Sequence, residues 1–114
     1  MKISTIESLP DFTCLQGDYE DATVQDAYTS DLLSDVMANA AEGSVLITIQ
    51  AHKNTVAVSP LAGVVAILIC NNRPATDDMI SAARDEGIAV FQTGKNQFQT
   101  SSLIAQHLAR CPAR

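Results

Sequence analysis

Basic residues are absent from a long stretch of this 114-residue chain: between Ile3 and His52 there is no lysine or arginine. That stretch contains nine carboxylates, whereas the chain after His52 holds six basic and four acidic residues. The formal net charge of −6 argues against DNA, RNA and anionic membranes as partners. Such segregation predicts that acidic and basic faces pair in a homodimer or with a partner protein; a solvated acidic surface is the alternative.

Cysteine motifs and long apolar runs are also missing. Cys14, Cys70 and Cys111 form no Cys-x-x-Cys pair, so the sequence indicates neither a zinc site nor a disulfide framework. No run approaches the roughly 20 apolar residues that cross a bilayer, and the N-terminus has no apolar signal-peptide core. We therefore expect a cytoplasmic protein with no metal site and no membrane partner.

Length and hydrophobic patterning predict a single α/β domain that takes up all 114 residues. Short, β-branched and almost continuously apolar runs are typical of strands covered on both faces. The predicted strands are Ser44–Gln50, Val64–Cys70 and Ala89–Thr93, with two more near Phe12–Gln16 and Thr23–Tyr28. Because helical patterns alternate with these strands, we expect a mostly parallel sheet flanked by helices, with Val64–Cys70 at its centre.

The helical patterns comprise a short amphipathic turn at Ile3–Leu9 and helices at Asp31–Ala41, Asn54–Leu61, Asp77–Glu86 and Thr100–Ala109. Thr76 and Gly87 are predicted to bound the helix at Asp77–Glu86. Pro60 is expected to limit Asn54–Leu61 to a turn or two.

The pattern at Asp31–Ala41 predicts an amphipathic helix, with Thr29 or Ser30 as its cap. Its apolar residues are expected to form one buried face: Leu32, Leu33, Val36, Met37 and Ala40.

No catalytic motif is complete in the sequence. Thr93-Gly94-Lys95 is similar to the end of a phosphate-binding P-loop, but the upstream glycine is misplaced and Asn96 replaces the required hydroxyl. Asp31 and Asp35 lie one helical turn apart and could share a metal ion or act with His52. An acidic pair on the outer face of a helix is more often solvated, and we predict no metal site.

Polar and basic residues follow the predicted strands at one edge of the sheet. Lys53, Arg73 and Lys95 each come just after the carboxyl end of a strand, where open parallel sheets bind ligands. The candidate ligand-binding residues are Lys53, Asn54, Asn71, Arg73, Thr93 and Lys95. The pattern predicts a site for a small anion, a nucleotide or another phosphate-containing ligand; the alternative is that loops simply collect polar residues.

About two thirds of the chain, from Tyr28 to Phe98, resembles the DRTGG domain family. The segments that carry the resemblance are Tyr28–Asn39, Ile47–Val58, Ile69–Pro74 and Thr93–Phe98. Within them, the residues of the family motif are Ser30, Asp31, Ser34, Asp35 and His52. The Asp-Arg-Thr-Gly-Gly string that names the family is absent from this sequence.

The resemblance implies an α/β fold like the N-terminal domain of HPr kinase/phosphorylase. It also implies a dimerising or regulatory part, as in phosphotransacetylase-like proteins. The kinase chemistry of that relative depends on a P-loop in another domain, and this chain has none.

Together these features favour a non-catalytic regulatory or dimerisation module that senses a small anion or nucleotide and has no resident cofactor. One alternative is a protein-interaction subunit of a larger redox or phosphotransfer enzyme, which would dock through the acidic first half. The other is a small enzyme that uses His52 with Asp31 or Asp35.

Overall fold

The computed structural model describes residues 1–108, which form a small α/β domain of the predicted class. Its helices and strands are α1 (Ile3–Glu7), β1 (Thr13–Gln16), β2 (Asp26–Thr29), α2 (Leu33–Asn39), β3 (Ser44–Thr48), α3 (Lys53–Ala62), β4 (Val64–Ile69), α4 (Asp77–Glu86), β5 (Ala89–Gln92) and α5 (Gln97–Leu108). No helix within this range is both long and apolar enough to cross a membrane.

The strands form one sheet in the order β1-β5-β4-β3-β2. The four strands from β2 to β5 are parallel neighbours, and β1 pairs antiparallel with β5 at the edge. β4 is the middle strand, as predicted, and Ala66, Ile67, Leu68 and Ile69 are fully buried. A continuous apolar run suits this position because both faces of the strand are covered.

Two helical layers cover the sheet. Because β2 to β5 are neighbours in chain order, right-handed crossovers place α2, α3 and α4 on one face. Val36, Val56 and Met79 of these helices belong to one core cluster. Ile6 of α1 and Ile104 of α5 belong to the cluster on the other face, so α5 leaves the sheet on the side opposite α4.

The expectation that Pro60 limits the third helix to a turn or two is wrong, because α3 runs for ten residues. A proline disrupts a helix by removing one N–H and by crowding the carbonyl four residues earlier. Pro60 lies in the last turn of α3, and Gly63 ends the helix directly after Ala62 in a left-handed conformation (φ 77°). The preceding helical residues therefore keep their hydrogen bonds.

The expected cap and buried face of α2 are also wrong in part. The N-cap position is Leu32 and has no side-chain cap, although the Ser30 hydroxyl accepts a hydrogen bond from the Leu32 N–H (3.2 Å). Val36 is fully buried, but Leu32 is 64% exposed and Met37 is 50% exposed. α2 packs against α3, and Val36 is the buried residue of this helix, so only a narrow stripe of it is covered.

The other helix ends follow local signals. The Thr76 hydroxyl accepts a hydrogen bond from the Met79 N–H (3.4 Å), and Gly87 ends α4 with φ 67°, both as predicted. α5 begins three residues before its predicted start, because the side chains of Asn96 and Gln99 each accept a hydrogen bond from the other's backbone N–H. The predicted end of this helix, Ala109, lies outside the described residues, as does Cys111.

Candidate functional site

The loops that follow β4 and β5 are joined to each other at the carboxyl edge of the sheet. The Asn71 N–H donates to the Lys95 carbonyl (3.0 Å), and the Asn72 N–H donates to the Thr93 carbonyl (2.9 Å). Asn71 and Asn72 adopt left-handed conformations with φ of 60° and 53°, which asparagine tolerates better than most residues. A Cβ on Gly94 would lie 3.1 Å from the side-chain amide nitrogen of Asn72, so the two loops are also packed closely.

These contacts close the place where a ligand crevice is expected. In open parallel sheets, ligands bind where the loops of neighbouring strands diverge to opposite faces. The β4 loop leads to α4 and the β5 loop to α5, on opposite faces. Here the backbone groups of Asn71 and Thr93 bond to the facing loop, so these two predicted site residues hold the edge together.

The three predicted basic residues have separate surroundings. The Lys95 ammonium lies 3.6 Å from the Asp11 carboxylate, and both side chains are 37% exposed. Arg73 is exposed, and its carbonyl accepts a hydrogen bond from the Gln92 amide (2.8 Å). Lys53 lies beside α4, where it helps to lower the pKa of Asp78. Each lysine therefore has an acidic neighbour of its own.

The N-terminus of α3 borders an open cleft of about 480 Å³, which we call the α3 cleft. Its lining residues are His52, Lys53, Asn54, Thr76 and Asp78. His52 occupies the N-cap position of α3 without making a side-chain cap bond, whereas side chains cap the starts of α4 and α5. The α3 cleft thus contains the positive end of a helix dipole together with the Lys53 ammonium.

The opposite wall of the α3 cleft is acidic. A hydrogen bond from the Thr76 hydroxyl is the main cause of the lowered pKa of Asp78, and the nearby Lys53 charge adds to it. Asp78 is therefore ionised at neutral pH and accepts hydrogen bonds. The arrangement suits a ligand that presents an anionic group to α3 and a hydroxyl or amine donor to Asp78.

Asp31 links three segments at the same edge of the sheet. Its Oδ1 accepts hydrogen bonds from the Thr48 hydroxyl (3.0 Å), the Ile49 N–H (3.0 Å) and the Gln97 side-chain amide (2.9 Å). These donors belong to the end of β3, the loop after it and the first turn of α5. Asp31 therefore orients its neighbours, and it does not lie on a solvated outer helix face.

Asp35 belongs to a different cluster, on the side of β2. The nearby Ser30 hydroxyl and hydrogen bonds from Tyr28 and Asn39 lower the pKa of Asp35, and the Tyr28 hydroxyl lies 2.9 Å from both carboxylate oxygens. The same hydrogen bond raises the pKa of Tyr28. Ser34 is exposed on α2. No hydrogen bond within residues 1–108 joins His52 to Asp31 or Asp35.

The sequence did not single out Asp78 and Gln97, and Thr76 was expected only to cap a helix. Asp78 could have been found by noting that β3 and β4 are neighbours, which brings the starts of α3 and α4 together. Gln97 had no local signal, because its partner Asp31 is 66 residues away in sequence.

The buried thiol of Cys70 lies under this edge. It donates to the Thr100 hydroxyl (3.4 Å), and burial raises its pKa above the usual thiol value. A protonated, inaccessible thiol is a poor nucleophile. In the part of the chain that the structure describes, no group of three or more histidine, cysteine or acidic side chains is placed to hold a metal ion.

Comparison of the chain with protein-family models and with curated proteins finds no match. The resemblance to the DRTGG domain family therefore stays a prediction from the residues that carry it.

Proposed function

We propose that this protein is a non-catalytic regulatory module that binds a small anion, such as a nucleotide or another phosphate-containing metabolite, in the α3 cleft. The observation that carries the proposal is the N-terminus of α3, which has no side-chain cap and lies beside Lys53 in an open cleft. Backbone N–H groups at a helix start favour phosphate because they donate hydrogen bonds and carry partial positive charge.

Asp78 narrows the class of ligand. A simple anion gains nothing from a carboxylate across the cleft, but a molecule with both phosphate and hydroxyl groups can use both walls. A nucleotide has this combination, because its ribose hydroxyls donate to a carboxylate while its phosphate binds α3. We therefore favour a nucleotide over inorganic phosphate.

A binding role without catalysis is supported by the way the polar groups at this edge are used. Asp31 accepts three hydrogen bonds from the protein itself, and the β4 and β5 loops bond to each other. Neither arrangement pairs a nucleophile with a base, as covalent catalysis requires. The regulatory role itself rests on the family resemblance.

The test is a thermal-shift screen of nucleotides and phosphorylated metabolites, followed by calorimetric titration of the best ligand. A tenfold excess over Kd adds about 1.4 kcal/mol, which raises Tm by several degrees in a domain of this size. Lys53→Ala should weaken binding about tenfold, since it removes a hydrogen bond between charged groups.

Lys95→Ala is the matched control. It removes the same charge from the same edge but breaks only an exposed ion pair, so affinity should stay within about twofold. The ligand proposal is contradicted if none of the compounds raises Tm. It is also contradicted if the Lys53→Ala and Lys95→Ala variants lose affinity equally.

Homodimerisation is a separate part of the proposal, supported by the segregated charges and by the resemblance. Light scattering should give twice the 12.1 kDa mass of the chain. A monomer at micromolar concentration would contradict this part alone.

A further inference from the structure

A groove of about 170 Å³ lies at the amino ends of the strands, on the opposite edge of the sheet from the α3 cleft. We call it the amino-edge groove. Its apolar lining includes Ile3 from α1, Val64 and Val65 from β4, and Ile88 before β5. Glu20 and Glu86 lie on its rim, and both are exposed.

The charged side chains among the lining residues of the amino-edge groove are both glutamates. The C-terminal ends of α3 and α4 both lie here, and helix C-termini carry partial negative charge. Two basic residues are close to the lining in sequence: Lys2, which precedes Ile3 and acts on Asp21, and Arg84, which lies in the last turn of α4. The lining residues themselves include no basic side chain.

An exposed leucine lies next to one of the groove residues in sequence. Leu61, in the last turn of α3, is 75% exposed and follows Pro60, which lines the groove. Apolar surface with a charged rim is typical of a protein-binding site, in which the apolar part anchors the partner and the charges select it.

We infer that the amino-edge groove docks a basic segment of a partner protein, with one aliphatic side chain in the groove and a lysine or arginine on each side. The volume accommodates a side chain about the size of leucine. The two glutamates and two helix ends complement flanking positive charges, and the net charge of −6 attracts such a segment from a distance. This inference is independent of the proposed function, because the groove and the α3 cleft lie at opposite edges.

The test uses a dye-labelled, acetylated and amidated peptide, Lys-Lys-Leu-Lys-Lys, whose binding to the full chain is followed by fluorescence anisotropy. The double variant Glu20→Gln with Glu86→Gln should bind about threefold to tenfold more weakly, the loss typical of two exposed ion pairs. The control, Asp11→Asn with Asp77→Asn, makes the same change in net charge at the carboxyl edge. It should stay within about twofold of the wild type.

The peptide Lys-Lys-Gly-Lys-Lys separates anchoring from attraction, because it keeps the charges and lacks the aliphatic side chain. Weaker binding of this peptide supports the inference. Three results would overturn it: no binding of the leucine peptide, equal weakening in the two double variants, or equal affinity for the two peptides. Circular dichroism of each variant confirms that it is folded.

Discussion

Replacing Asp31 with alanine should destabilise the domain, because it removes the acceptor that joins three segments. The Asp31 Oδ1 atom lies 3.0 Å from the Thr48 hydroxyl, 3.0 Å from the Ile49 nitrogen and 2.9 Å from the Gln97 amide. An unsatisfied buried donor costs about 1–3 kcal/mol. The Thr48 hydroxyl is fully buried, whereas water can reach the half-buried Ile49 and Gln97 donors. We therefore expect Asp31→Ala to lower the free energy of unfolding by about 2–4 kcal/mol.

Urea denaturation followed by circular dichroism measures this loss directly. Asp31→Asn keeps one side-chain oxygen as an acceptor and loses the charge, so it should cost about 1 kcal/mol. Asp18→Ala is the control for removal of a carboxylate, because its side chain accepts no hydrogen bond in the described range. It should change stability by less than about 0.5 kcal/mol.

A double-mutant cycle locates the effect. Asp31→Ala combined with Gln97→Ala should show a coupling energy of about 0.5 kcal/mol or more, because the two side chains are bonded directly. If Asp31→Ala is as mild as the Asp18 control, or if the coupling is zero, Asp31 does not hold α5 against the sheet.

Three further predictions concern the backbone turns and one titration. Gly63→Ala should lower the free energy of unfolding by about 2–5 kcal/mol, because the residue has a positive φ and its new Cβ would lie 2.8 Å from another backbone atom. Gly87→Ala also has a positive φ, but its Cβ meets no atom within 4 Å, so it should cost only about 1–2 kcal/mol. Equal urea midpoints for the two variants would refute the reasoning. Asn72→Ala should lower stability by about 1–2 kcal/mol through its left-handed backbone, while Asn72→Gly should be tolerated, and calorimetry that ranks them the other way contradicts this. Tyr28→Phe should raise the pKa of Asp35 towards 3.8 in an NMR titration. Because the folded pKa is lowered, the stability that this hydrogen bond contributes is present above the ordinary pKa and disappears as pH falls through the folded value. An unchanged Asp35 titration would count against the Tyr28–Asp35 hydrogen bond as a cause of the shift.

The parts of the fold that the sequence predicted well have local causes. Val64–Ile69 is a central strand because an unbroken β-branched run suits burial on both faces. The bounds of α4 follow from Thr76 at one end and Gly87 at the other. Here the pattern and the capping residues determine the element with little help from the rest of the chain.

The parts that were missed depend on position in the assembled fold. Leu32 and Met37 lie at the start of α2 and within it, just after the edge strand β2. Both side chains are exposed, but their spacing in the sequence is that of a buried helix face. The bond between Asp31 and Gln97 requires α5 to cross the face opposite α4. The sequence placed Lys53, Arg73 and Lys95 correctly after strand ends, but it could not predict that Lys95 pairs with Asp11.

An NMR titration of the isotope-labelled protein with the tightest-binding nucleotide tests whether the ligand binds in the α3 cleft. We expect the largest amide shifts on Lys53, Asn54 and Thr55, where α3 begins beside Asp78. Shifts concentrated instead on Asn71 and the β5 loop, or no shifts at saturating ligand, would contradict binding in the α3 cleft.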